Sequence, residues 1–99
     1  MLLREIAHSR TGDKGRIVTV SVIAYREEYY DVLAARIKAG AVQEHFRGLI
    51  DGPVLRYELP NLWALNFVLT RPETQGVTRS LALDAHGKCL GSALLAMEI

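Results

Sequence analysis

The sequence predicts an α+β domain: one mostly antiparallel sheet with helices on one face, in the rough order β-β-α-α-β-α-β-β. Three observations carry this. The stretch "IVTVSVIA" (17–24) sets Val18, Val20, Val22 and Ala24 against Ile17, Thr19, Ser21 and Ile23, the period-two pattern of a strand. The stretch "EEYYDVLAARIKAG" (27–40) instead places Tyr30, Leu33, Ala34 and Ile37 at helical spacing. Strand-like runs joined by hairpins, with helices between them, favour a sheet with its helices segregated to one side.

Taken in order, "LLREIAHS" (2–9) is expected to form the first strand, and a loop of about seven residues leads to the second. Val and Ile dominate that second strand, as a pleated surface prefers. Glu27 and Glu28 suit the start of the first helix and Lys38 its end, through the partial charges of the helix termini. Gly40 supplies a stop. "AVQEHFRGL" (41–49) reads as a second short helix with Val42, Phe46 and Leu49 on one side, and "DGP" (51–53) breaks the chain. "VLRYEL" (54–59) is a strand, with Leu55, Tyr57 and Leu59 opposite Val54, Arg56 and Glu58, and Pro60 ends it. "NLWALNFVL" (61–69) reads as a short helix capped by Asn61. It is apolar nearly all round, so it should be buried or covered by a partner. After the loop "RPETQG" (71–76), "VTRSLALD" (77–84) and "CLGSALLAMEI" (89–99) read as two strands joined by the turn "AHGK" (85–88). The nearest common architecture is a ferredoxin-like sandwich.

Ninety-nine residues make a single domain, 1–99, with 49 % hydrophobic and 23 % charged residues, the composition of a folded chain. The net charge of +1 gives no reason to propose nucleic acid or an anionic membrane as partner. No RNA-binding aromatic pattern occurs in the strands. One cysteine, Cys89, excludes an internal disulfide and fits a reducing compartment. Arg4 and Glu5 interrupt any signal-like apolar region at the start. The longest charge-free apolar stretch, "LPNLWALNFVLT" (59–70), is too short to span a bilayer. A cytoplasmic location is expected.

The stretch "SRTGDKGR" (9–16) is the first candidate site. Gly12 and Gly15 can take positive φ and admit a ligand closely. Successive N–H groups there could form an anion-binding nest, with charge added by Arg10, Lys14 and Arg16. Neither dinucleotide- nor nucleotide-phosphate-loop spacing is present. The plainer reading is a polar turn in which Asp13 caps its own backbone and pairs with Lys14 or Arg16. Asn61 reads as a cap, and Asn66, sharing a helical face with Leu62, Leu65 and Leu69, needs a hydrogen-bond partner. Trp63 and Phe67 serve either as core or as anchors for a partner. His86 and Cys89 are two ligand types without a site, so no metal and no cofactor is expected. His8, Ser9 and Asp13 lie too close together in sequence to be read as a triad.

The ordered series "AHSRTGDKG" (7–15), "RYELPNLWALNFVL" (56–69) and "TRSLALDAHGKCLGSALLAMEI" (78–99) resembles the C-terminal, ferredoxin-fold-like domain of the AtuA (acyclic terpene utilisation) family. The resemblance implies a small module that follows a much larger domain in many relatives and stands as a separate chain in others. It links the chain to bacterial breakdown of acyclic terpenes and related acyl-CoA metabolism. The family's distinctive segments fall on Arg10, Thr11, Gly12, Asp13, Lys14 and Gly15, and on Leu59, Pro60, Asn61, Leu62, Leu65, Asn66 and Phe67. Trp63 departs from the family pattern, where a small residue such as glycine is expected, and "RPETQG" is less glycine-rich than usual.

The expected function is that of an accessory module that forms a homo-oligomer, docks on a large AtuA-like subunit, or does both. It would lend the charged segment Arg10–Gly15 to a composite site and present Asn61, Leu62, Trp63, Asn66 and Phe67 at the interface. The alternative is a stand-alone enzyme or binding domain for a small anionic or acyl-CoA ligand. Arg10, Lys14 and Arg16 would then hold the anion, with Asp13 or His8 as acid or base.

Overall fold

The structure is a computed structural model describing residues 1–71 and 88–99, the side chains of Lys88 and Cys89 aside. A 3₁₀ turn, Leu3–Glu5, precedes strand β1 (Ala7–Lys14), and β2 follows (Ile17–Ala24). Two helices come next, α1 (Glu27–Arg36) and α2 (Ala39–His45). Then come β3 (Leu55–Leu59), a 3₁₀ turn (Pro60–Leu62), β4 (Ala64–Thr70) and helix α3 (Lys88–Leu95). The four strands form one antiparallel sheet in the order β1-β2-β4-β3. This is the expected α+β, ferredoxin-like class.

The strict alternation in β2 holds. Val18, Val20, Val22 and Ala24 are buried, while Ile17, Thr19, Ser21 and Ile23 point away from the core. Register carries the same division across the sheet: Val18, Val20 and Val22 stand beside Leu69, Phe67 and Leu65 of β4. These side chains pack with Leu33 and Ile37 of the first helical segment, Val42 and Phe46 of the second, and Leu90 and Leu94 of α3. One face of the sheet is therefore covered by helices. On the other, no described element forms a second layer.

Several expectations change. The first strand begins at Ala7 and absorbs the supposed loop, so β1 and β2 meet through Gly15 and Arg16 alone. Gly15, at φ +66°, holds the first of the two turn positions, where this kind of hairpin needs positive φ. Helix α1 ends at Arg36, not at Gly40, which lies in the first turn of α2. Lys38 nevertheless reaches back as expected, donating from Nζ to the Ala34 carbonyl at 2.9 Å.

The segment read as a helix, "NLWALNFVL", is a 3₁₀ turn followed by a central strand. A central strand buries one face fully and the other in part, so its sequence loses the plain alternation of hydrophobic and polar residues. Asn61 is inside that 3₁₀ turn rather than its cap, which is Leu59. In the other direction, "CLGSALLAMEI" is not a strand. Leu90, Leu94 and Met97 are buried at the i, i+4, i+7 spacing of a helix face. Gly91 lets this helix approach β1 closely: a Cβ there would lie 2.7 Å from Thr11 Oγ1 and 2.9 Å from Ser9 Oγ. The strand expected at 77–84, the turn at 85–87 and His86 lie outside the described residues, as does the loop beyond Arg71.

Leu2 bridges to Glu98, Leu3 N–H donates to the Met97 carbonyl at 2.9 Å, and Ile99 N–H donates to the Met1 carbonyl at 2.8 Å. No helix among the described residues is long and apolar enough to cross a membrane.

Candidate functional site

Because the charged segment is extended, its residues divide between the two faces of the sheet. Thr11 and Asp13 stand beside Val20 and Val18, on the helix-covered side. Arg10, Gly12 and Lys14 stand beside Ser21, Thr19 and Ile17, on the open side. No anion-binding nest is formed here. The backbone groups that would have converged on a ligand belong to a strand, and successive N–H groups of a strand point in opposite directions.

Asp13 sits near the hairpin tip and pairs with Arg71 at 3.5 Å, not with Lys14 or Arg16. Arg71 also donates to the Gly15 carbonyl. Arg16 donates from Nε to the Arg71 carbonyl at 3.1 Å and pairs with Asp51 at 3.4 Å. These exposed contacts tie the tip to the end of β4. They are the work expected of a structural turn, and exposed pairs of this kind are worth at most about 1 kcal/mol each. Arg10 and Lys14 are different: both are exposed, and neither has an ion-pair partner among the described residues.

The second segment also divides. Phe67 is fully buried in the core, so an interface contact expected of it is not made by that side chain in this fold. Asn66 faces the open side, where the Ser21 hydroxyl donates to Asn66 Oδ1 at 2.9 Å. That bond answers the need of the half-buried amide for a partner. Asn61, Leu62 and Trp63 are exposed. Trp63 is left-handed, at φ +54°, a conformation glycine adopts without penalty and a residue with Cβ does not. Glycine, the kind of residue expected at this position, would carry no such strain. The strained turn is held by Trp63 N–H donating to the Pro60 carbonyl at 3.1 Å and by Ala24 N–H donating to the Trp63 carbonyl at 2.8 Å.

Register builds the open face row by row. Arg10, Ser21, Asn66 and Tyr57 form a polar row across all four strands. His8, Ile23, Ala64 and Leu59 form the next, and Gly12, Thr19, Val68 and Leu55 the row on the other side. Leu55, Tyr57, Leu59, Leu62 and Trp63 are all exposed apolar or aromatic groups, with Leu62 64 % accessible. The alternation of β3 was visible in the sequence, but which of its two sides met solvent depended on the pairing with β4.

Two depressions lie in this region. One, of about 360 Å³, has Ile23 and Ala64 as floor, Leu59 and Leu62 on one side, and His8, Arg10 and Ser21 on the other. His8 is fixed by stacking on Tyr25 at 5.3 Å between ring centroids. The other, of about 440 Å³, lies between the start of α1 and the 3₁₀ turn, lined by Glu27, Glu28, Tyr30, Asp31, Pro60 and Trp63. Burial and then the nearby Glu58 carboxylate push the Tyr30 hydroxyl above its ordinary value of 10.0, against the lowering effect of Arg56. No group of three His, Cys, Asp or Glu side chains able to hold a metal occurs among the described residues.

The family model described as "AtuA ferredoxin-like domain" covers residues 1–99. No curated protein and no solved structure matches.

Proposed function

The chain belongs to the AtuA ferredoxin-like domain family, and from this premise we propose that it is a cytoplasmic accessory module that docks on a large AtuA-like subunit. The observation that carries the reading is the run of exposed Leu55, Tyr57 and Leu59 on β3, an edge strand among the described ones, continued by Leu62 and Trp63 in the following turn. Grouped apolar side chains in one surface region favour a protein partner. Aromatic groups among them are the type enriched where binding energy concentrates. Arg10, on the same face, would border the resulting composite site. Membership of the family and the apolar edge support this role together; terpene or acyl-CoA catabolism is the setting the family suggests.

Co-purification of the tagged chain with a large AtuA-like chain from the same cell, followed by light scattering, tests it. A stable complex in equal amounts is expected, and Leu62→Asp together with Tyr57→Asp should abolish it while leaving the circular dichroism spectrum unchanged. A chain that stays at its own 11.0 kDa beside the large subunit would overturn the reading. Self-association without the large chain would replace it with a homo-oligomer.

A further inference from the structure

We propose that the depression between β1 and the Pro60–Leu62 turn is a binding site for a small aliphatic carboxylate. The inference goes beyond the docking reading and stands without it, because apolar and cationic groups of this chain line the depression together.

The lining has two unlike sides. Ile23, Ala64, Leu59 and Leu62 make the floor and one wall, with no charge among them. Arg10, His8 and Ser21 make the other wall. A ligand that fits must therefore have an apolar body and a polar end. The sign of that end follows from the whole face. The open-face positions of the four strands carry Arg10 and Lys14 but no Asp or Glu, since Asp13 and Glu58 stand on the covered side. A cationic head would meet only like charge or neutral groups there.

The number of charges follows from spacing. Among the described residues, Arg10 is the one fixed cation in the lining. Lys14 is four residues further along the same strand, about 13 Å away at the rise of an extended chain. One guanidinium offers a planar fork that matches a carboxylate with two parallel hydrogen bonds. A doubly charged phosphate would be half-matched. Arg10 is available for this role, having no ion-pair partner among the described residues. The size follows from the volume: about 360 Å³ lies at the small end of the roughly 300–1,000 Å³ range of ligand pockets, so a short-chain ligand is matched. A carboxylate on a chain of about eight carbons is the matching probe.

The experiment titrates the ¹⁵N-labelled chain of residues 1–99 with sodium octanoate, and in parallel with octylamine and 1-octanol. Saturable shifts are expected for octanoate at the amides of His8, Arg10, Ser21, Ile23 and Ala64. Octylamine and octanol should bind at least about tenfold more weakly, the loss of one charge-assisted contact. Arg10→Gln should weaken octanoate by a similar factor, bringing it close to octanol. Lys14→Gln should leave it unchanged. Leu62→Ser should weaken octanoate and octanol alike. Both Arg10 and Leu62 are exposed, so these variants test the site without unfolding the chain. No saturation below about 10 mM, an affinity too weak for any specific contact to matter, would overturn the proposal. So would equal binding of octylamine, or shifts confined to other residues.

Discussion

The two faces of the sheet share the same strands, yet they are built on different terms. On the covered face, Val18, Val20, Val22, Leu65, Phe67 and Leu69 have no access to solvent. On the open face, the same strands offer Thr19, Ser21, Asn66 and Thr70 between exposed Ile17 and the apolar edge of β3. One face is a packed interior in which every methylene is felt. The other is a mixed surface with a polar row at its middle and apolar groups at its margins. Adjacent residues of one strand thus meet opposite environments, a packed interior and an open surface.

The sharpest test sets neighbours across this divide. Phe67→Ala should destabilise the chain by about 3–5 kcal/mol, the usual cost of emptying a buried aromatic site. Tyr57→Ala on the open face should stay within about 0.5 kcal/mol. Urea denaturation of the two variants measures both, and similar costs would break the comparison.

A charge on the covered face is the next test. Arg56 stands beside Phe67 in the register, at the edge of the helical layer. Its guanidinium donates to the Ile37 and Ala34 carbonyls at 2.8 Å each and to Glu58 at 2.9 Å. It thereby satisfies carbonyls at the end of α1 that no helical N–H can reach. Arg56→Met should cost about 1.5–3 kcal/mol in the same denaturation experiment, as expected for hydrogen bonds to a charged donor. A neutral result would mean that water replaces the guanidinium without loss.

Trp63→Gly sharpens the comparison from the other side. Relief of left-handed strain gains about 1–2 kcal/mol, and the freer unfolded chain returns about 1 of it. Stability should therefore change by no more than about 1 kcal/mol, while binding to the proposed large subunit weakens measurably in a pull-down titration. A large loss of stability would show that the indole is structural.

The smallest effect is confined to alkaline pH. Tyr30 has its ionisation raised in the folded state, so the folded chain holds this proton longer than the unfolded one. The contribution is complete below the unfolded value near 10 and declines as pH rises from there through the folded value. Tyr30→Phe should flatten the fall in melting temperature above about pH 10. An identical pH profile in both proteins would remove Tyr30 from the account.

How much of this was legible beforehand depends on how strongly each segment's pattern belongs to one structure. The second strand is, because Val18, Val20 and Val22 fall at every other position with Thr19 and Ser21 between them. The first helix is, because Leu33 and Ile37 recur at helical spacing. The central strand is not: Leu65, Phe67 and Leu69 do alternate, but Ala64 before them and Val68 among them are also apolar, and a short apolar run does not declare its period. The final helix carries its signal in Leu90, Leu94 and Met97, and no β-branched residue occurs in that stretch before Ile99. For the candidate site, Arg10 and Leu62 were named in advance, but their common depression was not. It depends on β1 lying beside β2 and β2 beside β4, which no local pattern states. The charged segment misled because two glycines suggest a wide loop, whereas only Gly15 turns the chain and Gly12 lies flat opposite Thr19.

The bridge between Leu2 and Glu98 has a further consequence for engineering. Residues 1 and 99 lie side by side, joined by a backbone hydrogen bond of 2.8 Å. A linker of a few residues would close the chain into a ring, and the ring could be reopened at the exposed Gly52–Pro53 junction to give a circular permutant with the same core. The same proximity lets the unit be spliced into a surface turn of another protein with little disturbance to the host, entering and leaving at a single point.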